Sequence, residues 1–165
     1  NNFVGILSLY LQKIKLNIMI QRIQTVFLFL SAVFAGLLFF VPIATFNVGE
    51  EIVKLSVLNF ENQPNVLPLL ILTILILIVP LVTIFLFKKR ELQFKLSSLN
   101  TFLNALLCGL IFIFYVDKMQ ANLSVEMATY AFGTYIPLIN IVLSVLAVRW
   151  IRKDIELIKS VDRLR

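Results

Sequence analysis

The sequence predicts an all-α integral membrane protein: a four-transmembrane-helix up-and-down bundle with a short β-hairpin-like outer loop and an amphipathic cytoplasmic C-terminal helix. Three observations predict it. Of the 165 residues 60% are hydrophobic, and the mean hydropathy is +0.96, more apolar surface than one soluble core can hide. Only 15% are charged, and these fall in blocks between long apolar runs, as expected where lipid covers the apolar surface. Four runs, about residues 25–44, 66–87, 99–116 and 130–148, each suit the roughly 17 to 25 helical residues that cross a hydrocarbon core. None of the four contains Asp, Glu, Lys or Arg. Val, Ile and Phe favour strands in water, but in lipid each segment must satisfy its own backbone, so the runs read as helices.

The chain begins with Asn1, and its first methionine is Met19. Residues 1–18 are therefore expected to be an upstream or non-native extension; the run from Phe3 to Leu11 is too short to span, and a surface helix is the alternative. Residues 19–165 form a single four-span membrane domain. Span one is too long for a signal-peptide core and lacks a small-x-small cleavage site, so it reads as uncleaved. In the loop after it, Val53, Leu55 and Val57 alternate with Lys54, Ser56 and Leu58, a period of two that predicts a strand over 52–59. Gly49 would supply the turn that pairs it with 44–48. Pro64 and Pro68 bracket the entry to span two, where a first helical turn has no hydrogen bond to lose. Pro80 and Pro137 fall inside spans two and four; either can kink its helix, and neighbouring helices can satisfy the freed carbonyl.

Orientation follows from the basic residues. Lys13, Lys15 and Arg22 precede span one, Lys88, Lys89, Arg90 and Lys95 lie between spans two and three, and Arg149, Arg152, Lys153, Lys159, Arg163 and Arg165 follow span four. Only Lys54 and Lys118 lie on the other side. Cationic segments stay in the cytoplasm, so both termini and the middle loop are predicted inside. Five of the nine acids, Glu50, Glu51, Glu61, Asp117 and Glu126, fall outside, in agreement. Phe46, Tyr115, Tyr130 and Tyr135 mark the outer boundary, and Phe87, Phe94 and Trp150 the inner one. The formal charge of +6 thus belongs to membrane flanks and implies no nucleic-acid partner.

The stretch Met19-Ile-Gln-Arg-Ile-Gln-Thr-Val-Phe-Leu-Phe-Leu, with Leu37-Leu-Phe-Phe-Val-Pro42, resembles the opening of a Bacteroidota family of four-span membrane proteins known as domain of unknown function 4293. The ending from Arg149 to Arg165 looks like that family's cytoplasmic tail. The resemblance covers residues 19–165. It implies a multi-pass protein of the bacterial inner membrane, makes Met19 the usual start, and carries over no catalytic residue, because the family has no assigned activity.

Little in the chain invites chemistry. With no histidine and one cysteine, Cys108, it can form neither a disulfide framework nor a Cys/His zinc site within one chain, and serine–histidine proteolysis fails too. No glycine-rich phosphate loop appears. No cofactor is expected. A proton-coupled carrier should hold a charged group within a span, and none is there. What the spans do hold is amides and hydroxyls. Asn100 and Asn104 lie one turn apart on span three, Asn140 and Ser144 one turn apart on span four. Counted inward from the cytoplasmic ends, Asn104 and Asn140 lie at comparable depth, roughly 10 to 14 Å. An interhelical hydrogen bond is the first reading and a substrate-binding polar pocket the second. Ala32 and Gly36 on span one and Ala105 and Gly109 on span three, with Ser31 and Ala35 beside the first pair, give four-residue steps of small side chains. Packing within the bundle is the first reading there, and a homodimer seam the second.

The tail carries Ile151, Ile155, Ile158, Val161 and Leu164 at three- and four-residue steps, with Arg152, Glu156, Lys159 and Arg163 as a charged stripe. Lys88, Lys89, Arg90, Arg149, Trp150, Arg152 and Lys153 are thus candidates for contact with the inner surface or a partner. A plain continuation of span four has equal standing. The expected role is a non-enzymatic accessory or scaffold subunit that meets the lipid bilayer and a membrane-protein partner or a second copy. The alternative is a small transporter or lipid-handling protein with a polar slot around Asn104 and Asn140.

Overall fold

In a computed structural model, the structure describes residues 23–48, 51–58, 66–123 and 128–162. The expectations for residues 1–18, Met19, Arg22, Gly49, Asn59 and Pro64 lie outside the described residues. The elements are α1 (Ile23–Leu37), β1 (Ala44–Val48), β2 (Glu51–Leu55), α2 (Leu67–Phe85), α3 (Arg90–Gly109) continued by a π-helical stretch (Leu110–Val116), α4 (Asp117–Leu123), β3 (Thr129–Tyr130), a 3₁₀ turn (Phe132–Thr134) and α5 (Ile136–Asp162). Among the described residues three helical stretches, Leu67–Phe85, Arg90–Val116 and Phe132–Ser160, are long and apolar enough to cross a membrane, and α1 is a shorter apolar helix.

Span one was expected to reach residue 44, but α1 ends at Leu37. Its last turn tightens through Leu38 N–H to Ala35 O and Phe40 N–H to Leu37 O ahead of Pro42. The residue before a proline is pushed out of the α region and proline offers no N–H, so Ala44 passes into the sheet. Span four was expected from residue 130, but Tyr130 pairs as a strand and α5 starts at Ile136. Gly133 N–H donates to Pro42 O, Ala131 N–H to Ile43 O, and the Thr134 hydroxyl to Ile43 O, which spends this backbone on the loop rather than on a helix. Span three was expected from residue 99, yet its helix starts at Arg90, because Gln93, Ser97 and Asn100 turn inward. Beyond Val148, α5 continues without a break for 27 residues in all, so the tail is the continuation of that helix.

The expected hairpin is present: β1 and β2 pair antiparallel with Ala44 opposite Leu55 and Val48 opposite Glu51. The second strand ends at Leu55 rather than near residue 59. A third strand, which periodicity did not signal, adds β3 to the other edge of β1 with Thr45 opposite Thr129. Ala44, Phe46 and Leu55 are buried while Asn47, Ile52 and Lys54 are exposed, the alternation of a sheet with one covered face. That face closes one end of the bundle over Ile43, Val57, Val66, Leu69, Tyr115 and Ile136. The Tyr115 hydroxyl is hydrogen-bonded to the Leu69 backbone in the first turn of α2, where amides lack intrahelical partners.

Candidate functional site

Every long helix buries one row of side chains at three- and four-residue steps, the spacing of knobs-into-holes packing. The rows are Gln24, Leu28, Ser31, Ala35 and Leu38 on α1 and its end; Leu69, Thr73, Ile76, Pro80 and Thr83 on α2; Gln93, Ser97, Asn100, Asn104, Leu107 and Ile111 along α3; and Ile136, Asn140, Ser144, Ala147, Ile151 and Asp154 on α5. Read from the sheet end, the α3 row begins apolar and turns polar toward the end that carries the Lys88–Lys95 cluster, while the other rows mix the two, with Leu28, Ile76, Pro80, Ala147 and Ile151 buried among the polar side chains. The interior is thus an apolar plug at the sheet end, with a seam of polar side chains running among apolar ones toward the basic end.

Two contacts set the register between α3 and α5. The Asn100 amide donates to Ser144 Oγ at 2.9 Å, and Arg90 Nη1 lies 2.8 Å from Asp154 Oδ1. Ten residues along α3 from Arg90 to Asn100 match ten back along α5 from Asp154 to Ser144. Four more on each helix bring Asn104 level with Asn140. Asn100 also donates to Ser31 Oγ at 3.3 Å, so α1, α3 and α5 meet at one amide. The expected direct bond between Asn104 and Asn140 is not what Asn104 makes: its amide donates to the Asn100 carbonyl of its own helix at 2.8 Å.

Many of the remaining polar atoms face nothing that can answer them. Asn140, fully buried, has no partner for either amide atom, and Asn100 Oδ1, Asn104 Oδ1, Ser97 Oγ, Gln93 Oε1 and both amide atoms of Gln24 are likewise buried and unpartnered among the described residues. Gln93 Nε2 does reach the Thr83 carbonyl at 3.2 Å. An unanswered buried donor or acceptor costs about 1–3 kcal/mol, so a row of them in protein calls for water or a polar guest.

Asp154 was missed in the sequence, where it passes for part of the charged tail. It is fully buried and closes the seam at the basic end. Since 27 residues of α5 reach about 40 Å against about 30 Å of hydrocarbon, this end projects past the apolar stretch. Burial pushes the Asp154 carboxyl up, and Arg90 pulls it back down. The signal that would have found it is the continued step from Asn140, Ser144, Ala147 and Ile151 to position 154.

The small-residue steps divide. Ser31, Ala32 and Ala35 are buried, and a Cβ at Gly36 would meet only Leu77 Cδ1, at 3.9 Å. Ala105 is exposed, and a Cβ at Gly109 would meet nothing within 4 Å; among the described residues the α3 pair faces outward, not into the bundle as first read. Of the basic-end candidates, Arg90 turns inward, Arg152 pairs with Glu156 at 3.2 Å, and Lys153 and Lys88 lie 5.2 Å and 5.9 Å from the ring centroids of Trp150 and Phe87. Lys89 and Arg149 are exposed. No three His, Cys, Asp or Glu side chains among the described residues could hold a metal ion.

A model of the family described as Domain of unknown function (DUF4293) matches residues 20–164. No curated protein and no solved structure matches the chain.

Proposed function

We propose that this chain, which belongs to the DUF4293 family, is a four-span protein of the bacterial inner membrane with both termini in the cytoplasm, and that it binds a small uncharged polar solute in the seam. It acts by binding, without catalysis. The single observation that carries the reading is Asn140: a fully buried carboxamide with neither atom partnered, level with Asn104. Helix-to-helix glue explains Asn100, which has two interhelical partners; it does not explain Asn140. The polar groups in the deep part of the seam are amides and hydroxyls, with no charged side chain, which suits a neutral hydrogen-bonding guest. The fourth span is the one that contains α1. Basic charge at the end away from the sheet supports the inside assignment of that end.

Accessibility tests it. In a Cys108→Ser background, Asn140→Cys should react with a small hydrophilic thiol reagent added from the cytoplasmic face, and solutes that fill the seam should slow the reaction. A cysteine at Asn140 that stays inert while Ser160→Cys reacts would end the slot reading. Topology is tested in the same background: Asn47→Cys and Ser160→Cys should label from opposite faces.

A second reading, an accessory or scaffold subunit, is favoured by the outward-facing Ala105 and Gly109, since a small-residue step on a lipid-facing surface lets another helix approach closely. A crosslink formed by Ala105→Cys with a second copy or another membrane protein would support it.

A further inference from the structure

We infer that the basic end carries a binding site for one anionic phospholipid of the adjoining leaflet, in the groove between the first turns of α3 and the end of α5. This is independent of the solute slot. The groove is a cavity of about 510 Å³ lined by Glu91, Phe94, Lys95, Arg152, Ile155, Glu156 and Lys159. It continues past Arg90 into a second hollow that Lys88, Ile158 and Lys159 help to line. Two of its charges are already answered: Arg152 by Glu156 and Arg90 by Asp154. Lys88, Lys95 and Lys159 remain against Glu91, so the lining is net cationic.

Charge alone would suit any anion, but the groove is also apolar. Phe94, Ile155 and Ile158 are each only half-buried. They line the two hollows beside Lys88, Lys95 and Lys159 as an apolar strip. A free phosphate would use the lysines and leave the strip wet; a phospholipid uses both, with its phosphate between Lys95 and Lys159 and an acyl chain along the strip. Phe87 and Trp150 close by set this end at headgroup depth. The cationic lining against an anionic leaflet is the complementarity that selects this occupant.

The test uses the purified full chain in detergent with added phosphatidylglycerol or phosphatidylcholine, read by native mass spectrometry. Phosphatidylglycerol should be retained as a one-to-one adduct and phosphatidylcholine should not. Lys95→Gln/Lys159→Gln should weaken retention about 30-fold, while Lys95→Arg/Lys159→Arg keeps it and Lys118→Gln, at the sheet end, changes nothing. An unchanged thermal transition in the glutamine variant separates lost binding from lost folding. Equal retention of the two lipids, an adduct indifferent to the glutamine pair, displacement of the lipid by millimolar inorganic phosphate, or a co-purifying protein that the lipid cannot displace would each overturn the assignment.

Discussion

Alanine at Gly133 and alanine at Gly109 should change stability in opposite directions, and the structure gives the sizes. A Cβ on Gly133 would stand 2.5 Å from the Pro42 carbonyl oxygen, 3.0 Å from its carbon and 3.2 Å from the Ile43 Cα. Carbon–oxygen contacts of this kind settle at about 3.3 Å or more, so the two backbones must part by roughly 0.8 Å. No rotamer can yield, because all three neighbours are backbone. Parting strains the bonds that cross the same junction: Gly133 N–H to Pro42 O at 3.1 Å, Ala131 N–H to Ile43 O at 2.9 Å, and the Thr134 hydroxyl to Ile43 O. Overpacking of this sort costs about 1–3 kcal/mol, and one weakened bond adds about 1 kcal/mol, which together give a loss of about 2–4 kcal/mol. At Gly109 the added methyl meets nothing within 4 Å, and replacing a helical glycine by alanine gains about 0.5–1 kcal/mol. Reversible unfolding in mixed micelles, followed by far-UV circular dichroism, measures both. Equal stability of Gly133→Ala and the parent, or shifts of one sign in both variants, would refute the account of the clasp between the outer loop and the end of α1.

The seam and its basic end make further predictions for the same assay. Asn100→Leu should cost about 1–3 kcal/mol, since it strips Ser31 and Ser144 of their shared partner. Asn140→Leu should be neutral or stabilising, since no protein group is orphaned by it; a loss as large as that at Asn100 would mean that Asn140 has a partner in the folded chain. Arg90→Gln should cost about 3–5 kcal/mol by leaving the buried Asp154 without its counter-charge. The double variant Arg90→Gln/Asp154→Asn should recover most of that, and a double variant no better than Arg90→Gln would show that the ion pair is not what matters there. Tyr115→Phe should lose about 1 kcal/mol through the Leu69 backbone contact.

Three stretches of spanning length, and a shorter apolar helix where the first span was expected, were legible because a hydrocarbon solvent demands a length and forbids charge, and both can be counted. The ends were not, since three local contests were invisible to a hydropathy window. Pro42 stops α1 seven residues before the apolar run ends at residue 44. Gly133 is held by a chain segment ninety residues away, so its stretch becomes a turn rather than a first helical turn. Gln93 and Ser97 are polar and so lower the hydropathy at the start of α3, yet both are buried, and a window average reads their polarity as exposure. The polar candidates Asn100 and Ser144 were found by type and spacing and do meet, together with Ser31, which had been read only as a small packing residue. Asp154 lies on the continued step of the α5 row, but its pairing with Arg90 needed the fixed offset between α3 and α5, which exists only when both helices are in view.

The polarity of the interior also restricts what a bound solute could do. From Asn104 and Asn140 to the basic end the buried rows mix amides, hydroxyls and small side chains with Leu28, Ile76 and Ile151, but beyond them stand apolar groups such as Leu38, Leu69, Leu107, Ile111 and Ile136, all buried, under a covered sheet. A polar solute pushed into that layer would lose its hydrogen bonds with nothing to replace them, at several kcal/mol for each group. Passage would need α1 and α2 to part from α3 and α5 at the sheet end, against the clasp at Gly133 and the Tyr115 contact. A one-sided seam of this kind fits capture and release at the basic end better than transit. The distinction is measurable: in proteoliposomes, a solute that protects Asn140→Cys should do so from the basic face alone, and uptake of that solute should stay at the level of protein-free vesicles. Uptake above that level would place an opening through the plug, and Gly133→Ala, which loosens its cover, should then raise it further.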